Sequence, residues 1–139
     1  MEYAASLIPF LVLLAIPAFS VWRVVKGLRA GDWNRPGWFG HAAWAAGCLT
    51  VLAWLRGLLS GGLDSERACT DWHHQPFDAA YREAHREEWF RLYPLTNKCN
   101  AHYDLVPAWV NPAIAVFFLL FVVSVVGLVW TTTLRLKRP

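Results

Sequence analysis

Four of the five histidines, His73, His74, His85 and His102, share one stretch of the sequence with Asp71. Imidazole and carboxylate are the ligand types that zinc takes. Their spacing argues against a common ion. Adjacent His73 and His74 do not easily reach one metal together, and neither H-x-x-x-H nor H-E-x-x-H occurs. The same stretch offers Glu83, Glu87 and Glu88 beside His85 as acids and bases, yet no nucleophile stands at a recognisable spacing from a base. These groups read as solvated or hydrogen-bonded side chains. The four histidines are the metal candidates, no catalytic set is assigned, and no cofactor is expected.

The cysteines carry a firmer signal. Cys69 and Cys99 lie in the same stretch as these histidines and glutamates, while Cys48 lies inside an apolar run and reads as a small buried residue. No C-x-x-C occurs, so a thioredoxin-type motif is absent from the sequence. A bond between Cys69 and Cys99 closes a loop of about 30 residues, which the chain-entropy model values at roughly 3–4 kcal/mol.

The elements that must position these residues are set by hydropathy. Apolar residues make up 56 % of the 139 and charged residues only 17 %, and the apolar ones come in blocks. A bilayer core of roughly 30 Å needs about 20 helical residues. Segments of about 4–28, 38–60 and 111–133 meet that length, giving an all-α integral membrane protein with three transmembrane helices in a single membrane domain. In the first, Pro17 predicts a kink. Its positive charges (Arg23, Lys26, Arg29) follow the apolar run rather than precede it, which predicts a retained anchor with its N-terminus outside rather than a cleaved signal peptide. The second helix carries Gly40, Ala43, Gly47 and Thr50 at three- and four-residue spacing, a face on which another helix could pack closely. The third begins with Asn111 as cap and Pro112 in the first helical position.

Charge orients the three. The first loop holds Lys26, Arg29 and Arg35 against Asp32, and the tail holds Arg135, Lys137 and Arg138 with no acid. The loop of about 62–108 has eight Asp/Glu against five Lys/Arg. Lys and Arg mark the cytoplasmic side of short loops, so the expected topology is N-out and C-in, with the long loop outside, where a disulfide persists. Net positive charge on membrane flanks points to anionic lipids rather than nucleic acid.

The long loop has seven aromatics, too many for a disordered linker. Pro76 to Leu92 reads as one helix, with Asp78–Arg82 and Glu87–Arg91 as i,i+4 pairs. Phe77, Ala80, Tyr81, Ala84 and Leu92 fall on its inner face, and Glu88 breaks that face. Arg56, near the outer end of the second helix, either snorkels to lipid phosphates or pairs with Glu88. The arginine-rich, Ala- and Gly-rich composition points to a bacterial source.

These readings favour a small accessory or interaction subunit of the cell membrane, self-associating or bound to another membrane protein, that presents a disulfide-linked, helical extracytoplasmic cap. Two alternatives stand beside it. One is a membrane enzyme or a cofactor or metal binder with its site at the outer interface. The other is an oligomeric transport component.

Overall fold

The computed structural model describes residues 2–89 and 91–137, with side chains described from Ala15 onward except that of Trp89. Met1, Phe90 and Arg138 therefore lie outside the described residues. The chain is mostly helical, and three long helices account for most of it: α1 Glu2–Ala30, α2 Pro36–Leu58 and α6 Val110–Leu136. Among the described residues, α2 and α6 are long and apolar enough to cross a membrane. Helix α1 runs without interruption through Pro17.

The contacts divide the chain into two units, residues 1–49 with 116–139, and residues 50–115. In the first unit, two glycines receive aromatic rings. The Trp38 ring lies where a side chain on Gly27 would stand, and the Phe39 ring does the same at Gly127. The Trp38 indole Nε1 donates to the Val24 carbonyl at 3.0 Å, which fastens the start of α2 to α1. His41 approaches the buried Ser20 hydroxyl at 3.4 Å and meets Phe19 edge-on. On the face that the sequence singled out, Ala43 is buried and Gly47 meets the Phe121 ring, while Gly40 faces open space. Thr50, the fourth member of that set, falls in the second unit.

The second unit holds the end of α2, the loop and the start of α6. Gly57 is covered by Leu95 and Val110, and Gly61 by the Asn97 side chain. After Gly62 turns the chain with φ 61°, Asp64 caps the short helix α3 (Ser65–Arg67) by accepting from the Glu66 and Arg67 amides. A π-helical turn, Ala68–Trp72, follows and buries Ala68 and Cys69. The disulfide joins Cys69 to Cys99. Both cysteines are completely buried, and with Ala68 and Leu105 they form a small core against which Phe77 and Tyr103 pack.

Three sequence expectations need correction here. The single helix over Pro76–Leu92 is two short ones, α4 (Ala79–Ala84) and α5 (Arg86–Trp89), broken at His85. Asp78 caps α4, its carboxylate accepting from the Tyr81 amide at 2.9 Å. The loop is also not wholly helical. Strands β1 (Lys98–Asn100) and β2 (Tyr103–Asp104) pair antiparallel, because the Asn100 side chain accepts from the His102 and Tyr103 amides and holds the turn. Finally, Asn111 lies inside α6 and does not cap it. Its amide clamps the neighbouring chain instead, accepting from the Leu95 amide and donating to the Leu95 carbonyl, each at 2.9 Å.

Candidate functional site

The polar groups of the loop converge on β1. Arg82, read from the sequence as half of a solvated pair, is the most buried charged residue of the loop, with 7 % of its surface exposed. Its guanidinium donates to Asn97 Oδ1 at 3.0 Å and to the Lys98 carbonyl at 2.9 Å, and lies over the Phe77 ring. Burial lowers its pKa from the usual arginine value. The loop helix thus turns its Arg82 side inward, while Ala80, Ala84 and Leu92 from the expected apolar face are exposed. Five N–H donors in a fixed fork satisfy two acceptors, one in β1 and one just before it, better than a methyl group can.

Beside Arg82, Lys98 reaches across α4 and α5. Its ammonium lies 3.4 Å from the Tyr81 hydroxyl, to which it donates, and 3.8 Å from the Glu88 carboxylate. The hydrogen bond to Tyr81 leads the causes that hold Lys98 above the usual lysine pKa, with Glu88 and Asp104 adding to it. Glu88 therefore finds its cation on β1. Among the described residues Arg56 forms no ion pair, and it is exposed near the end of α2. The expected Arg56–Glu88 pair is replaced by Lys98–Glu88.

The four histidines are dispersed. His73 Nδ1 and the Tyr103 hydroxyl share a hydrogen bond of 2.9 Å. His74 is exposed and takes a positive φ of 52°. His85 stacks on Tyr81, and its Nδ1 donates to the Tyr81 carbonyl at 2.8 Å. His102 is exposed in the β1–β2 turn. Among the described residues no three His, Cys, Asp or Glu side chains gather as a metal site. Glu83 pairs with Arg86 at 3.6 Å on the surface, and Glu87 is exposed.

Chemically this arrangement positions more than it reacts. A lysine held protonated is a poor base, and a buried guanidinium bonded to a carbonyl and an amide oxygen acts as a strut. What the second unit offers outward is apolar. Leu63, Trp72, Leu92, Tyr93 and Trp109 are all more than half exposed. Trp72 lies over Gly62, and the Leu92 carbonyl accepts from the Trp54 indole at 3.1 Å, which keeps these side chains close to the end of α2. Tyr93 is aimed at the start of α6 through its hydroxyl and the Asn111 carbonyl, 3.5 Å apart. The sequence signal for this surface was the aromatic content of the loop, which does not say which rings turn outward. No protein-family model, curated protein or solved structure matches the chain.

Proposed function

We propose that this chain is a three-span membrane protein of N-out, C-in topology, acting as a small accessory or interaction subunit through a disulfide-locked extracytoplasmic cap. The observation that carries the reading is the division of labour in the second unit. Arg82 and the Lys98–Glu88 pair are engaged in internal bonds at β1, and large apolar side chains are left exposed at the ends of α2 and α6. Exposed aromatic and aliphatic groups at that level suit contact with a second membrane protein or with another copy of this chain, surrounded by headgroups. The positive charge of the first loop and of the tail supports the orientation. A buried disulfide agrees with an oxidising compartment for the loop.

Two measurements test this. Cysteine-accessibility labelling in intact cells should place Cys69 and Cys99, after reduction, on the outer side, and labelling from the cytoplasm would sink the topology. Purification from mild detergent should yield a partner or a second copy in fixed stoichiometry. Leu63→Glu with Trp72→Ala should release it. Wild-type and variant protein that both run as bare monomers would refute the interaction reading.

A further inference from the structure

In the first unit, a cleft of about 390 Å³ opens where the basic last turns of α1 and α6 meet the start of α2. Arg23 and Lys26 reach it from α1, Arg35 from the connecting turn, and Arg135 from the last turn of α6. Asp32 is the one acid on its lining, and its carboxylate is taken by Arg35 at 2.9 Å. That leaves Arg23, Lys26 and Arg135 as cations without an ion-pair partner among the described residues. The first turn of α2, Pro36 and Gly37, also faces the cleft and adds the positive end of a 23-residue helix. The Trp38 ring, packed on Gly27 with its indole nitrogen already bonded to Val24, forms a rigid wall rather than a donor.

Three cations and a helix start around one concavity are built for an anion with several oxygens, and guanidinium forks match phosphate geometry. The surroundings decide the source of that phosphate. One turn before Arg23, Phe19 and Trp22 are exposed, and one turn before Arg135 the exposed Trp130 and Leu134 stand on α6. An amphiphile can lay its chains along these apolar faces while its head enters the cleft. We infer that this cleft binds the phosphate of an anionic phospholipid headgroup. The inference rests on the membrane reading proposed above, with the cleft in the cytoplasmic leaflet.

The test is lipid retention by the purified full chain in mild detergent, read by native mass spectrometry. Phosphatidylglycerol and phosphatidylcholine of identical acyl chains are compared. Each basic side chain near a membrane surface contributes about 1 kcal/mol to anionic lipid binding, or roughly fivefold in affinity. Three cations without an ion pair, of which Lys26 rests over the Trp22 ring, therefore give a preference for phosphatidylglycerol on the order of 100-fold. Arg23→Gln with Arg135→Gln should reduce it about 25-fold, and Arg23→Lys with Arg135→Lys should restore most of it, which excludes misfolding as the cause. Arg29→Gln with Lys137→Gln, exposed cations outside the cleft, should change it little.

An equal loss in that control pair, or no preference in the wild type, overturns the site. Displacement of the lipid by excess inorganic phosphate would reassign the cleft to a soluble phosphate ligand and overturn the lipid assignment. A chain that stays dispersed without detergent and retains neither lipid overturns the membrane reading itself, and the inference with it.

Discussion

Replacing Arg82 by methionine should loosen the loop around its disulfide, and the size of the effect follows from what the guanidinium touches. Methionine keeps much of the volume and can still rest on Phe77, so packing changes little. It removes the donors to Asn97 Oδ1 and to the Lys98 carbonyl. Hydrogen bonds from a charged donor contribute about 1.5–3 kcal/mol each, and leaving the acceptors unpaired adds to the loss. Against this stands the relief of no longer burying a charge, which can recover several kcal/mol. A net destabilisation of about 3 kcal/mol follows from these opposing terms. Cys69 and Cys99 have no exposed surface, so a reductant reaches them only when the loop opens. The rate of disulfide reduction, trapped with a maleimide-polymer gel shift, reports that opening. Three kcal/mol corresponds to a rate increase of roughly 100-fold if opening is a fast pre-equilibrium. Arg86→Met, which breaks only the exposed pair with Glu83, should leave the rate within about twofold. Equal reduction rates for wild type and Arg82→Met would show that the guanidinium is not what joins α4 to β1.

The remaining expectations use the same protein. Lys98 is held above its usual pKa, so its contribution is fully present below the unfolded lysine value of 10.5 and is lost as pH rises through the higher folded value. Reduction by a phosphine at increasing alkaline pH should accelerate in the wild type, with a smaller increase in Lys98→Met; identical profiles would remove Lys98 from the account. Gly127→Ala puts a methyl group into the Phe39 ring and should cost about 1–3 kcal/mol. Gly40→Ala, which faces open space inside α2, should be neutral or stabilise by up to about 1 kcal/mol. Thermal unfolding in detergent separates these two, and the reverse order would refute the packing assignment. Thiol counting under denaturing, non-reducing conditions should find one reactive cysteine, Cys48, per chain and two more after reduction. Cys69→Ser should cost roughly 3–4 kcal/mol of loop stability by the chain-entropy model; unchanged reduction-independent stability would count against that value.

How far the sequence carried depends on which physical signal each feature leaves. Runs of apolar residues located α2 and α6 to within about three residues, because helix length against a bilayer is a coarse constraint that few charges can satisfy. The Cys69–Cys99 bond was legible for a similar reason: two cysteines in one polar loop leave a single pairing within it. The inner face of the loop was not legible. Helical periodicity sorts side chains by hydropathy and assigns Arg82 to solvent, but the Lys98 carbonyl of β1 and the Asn97 amide oxygen just before it need a donor, and the long Arg82 side chain reaches them. The break at His85 escaped because its ring donates to the Tyr81 carbonyl that its own amide also reaches, a local competition that no apolar pattern records. One of the two readings of Arg56 paired it with Glu88 for want of a strand, and once β1 sets Lys98 beside Tyr81 the acid has a cation there.

The glycines hold the most transferable point. A search for small residues at regular spacing selected Gly47, which meets the Phe121 ring, and Gly40, where an added side chain would meet nothing, and passed over Gly27, Gly57 and Gly127, each covered by a bulky side chain. An interior helical glycine costs about 1 kcal/mol relative to alanine, and at Gly27 and Gly127 that cost accompanies the close approach of a ring, whereas at Gly40 it does not. Here the partners are aromatic rings at one end and Leu95 with Val110 at the other, so the rule that finds them pairs a costly glycine with a large side chain rather than with another small one. The basic cleft escaped for a parallel reason. Arg23, Lys26 and Arg135 entered the sequence reading only as flank charges, and only the meeting of three helix ends turns them into one binding geometry.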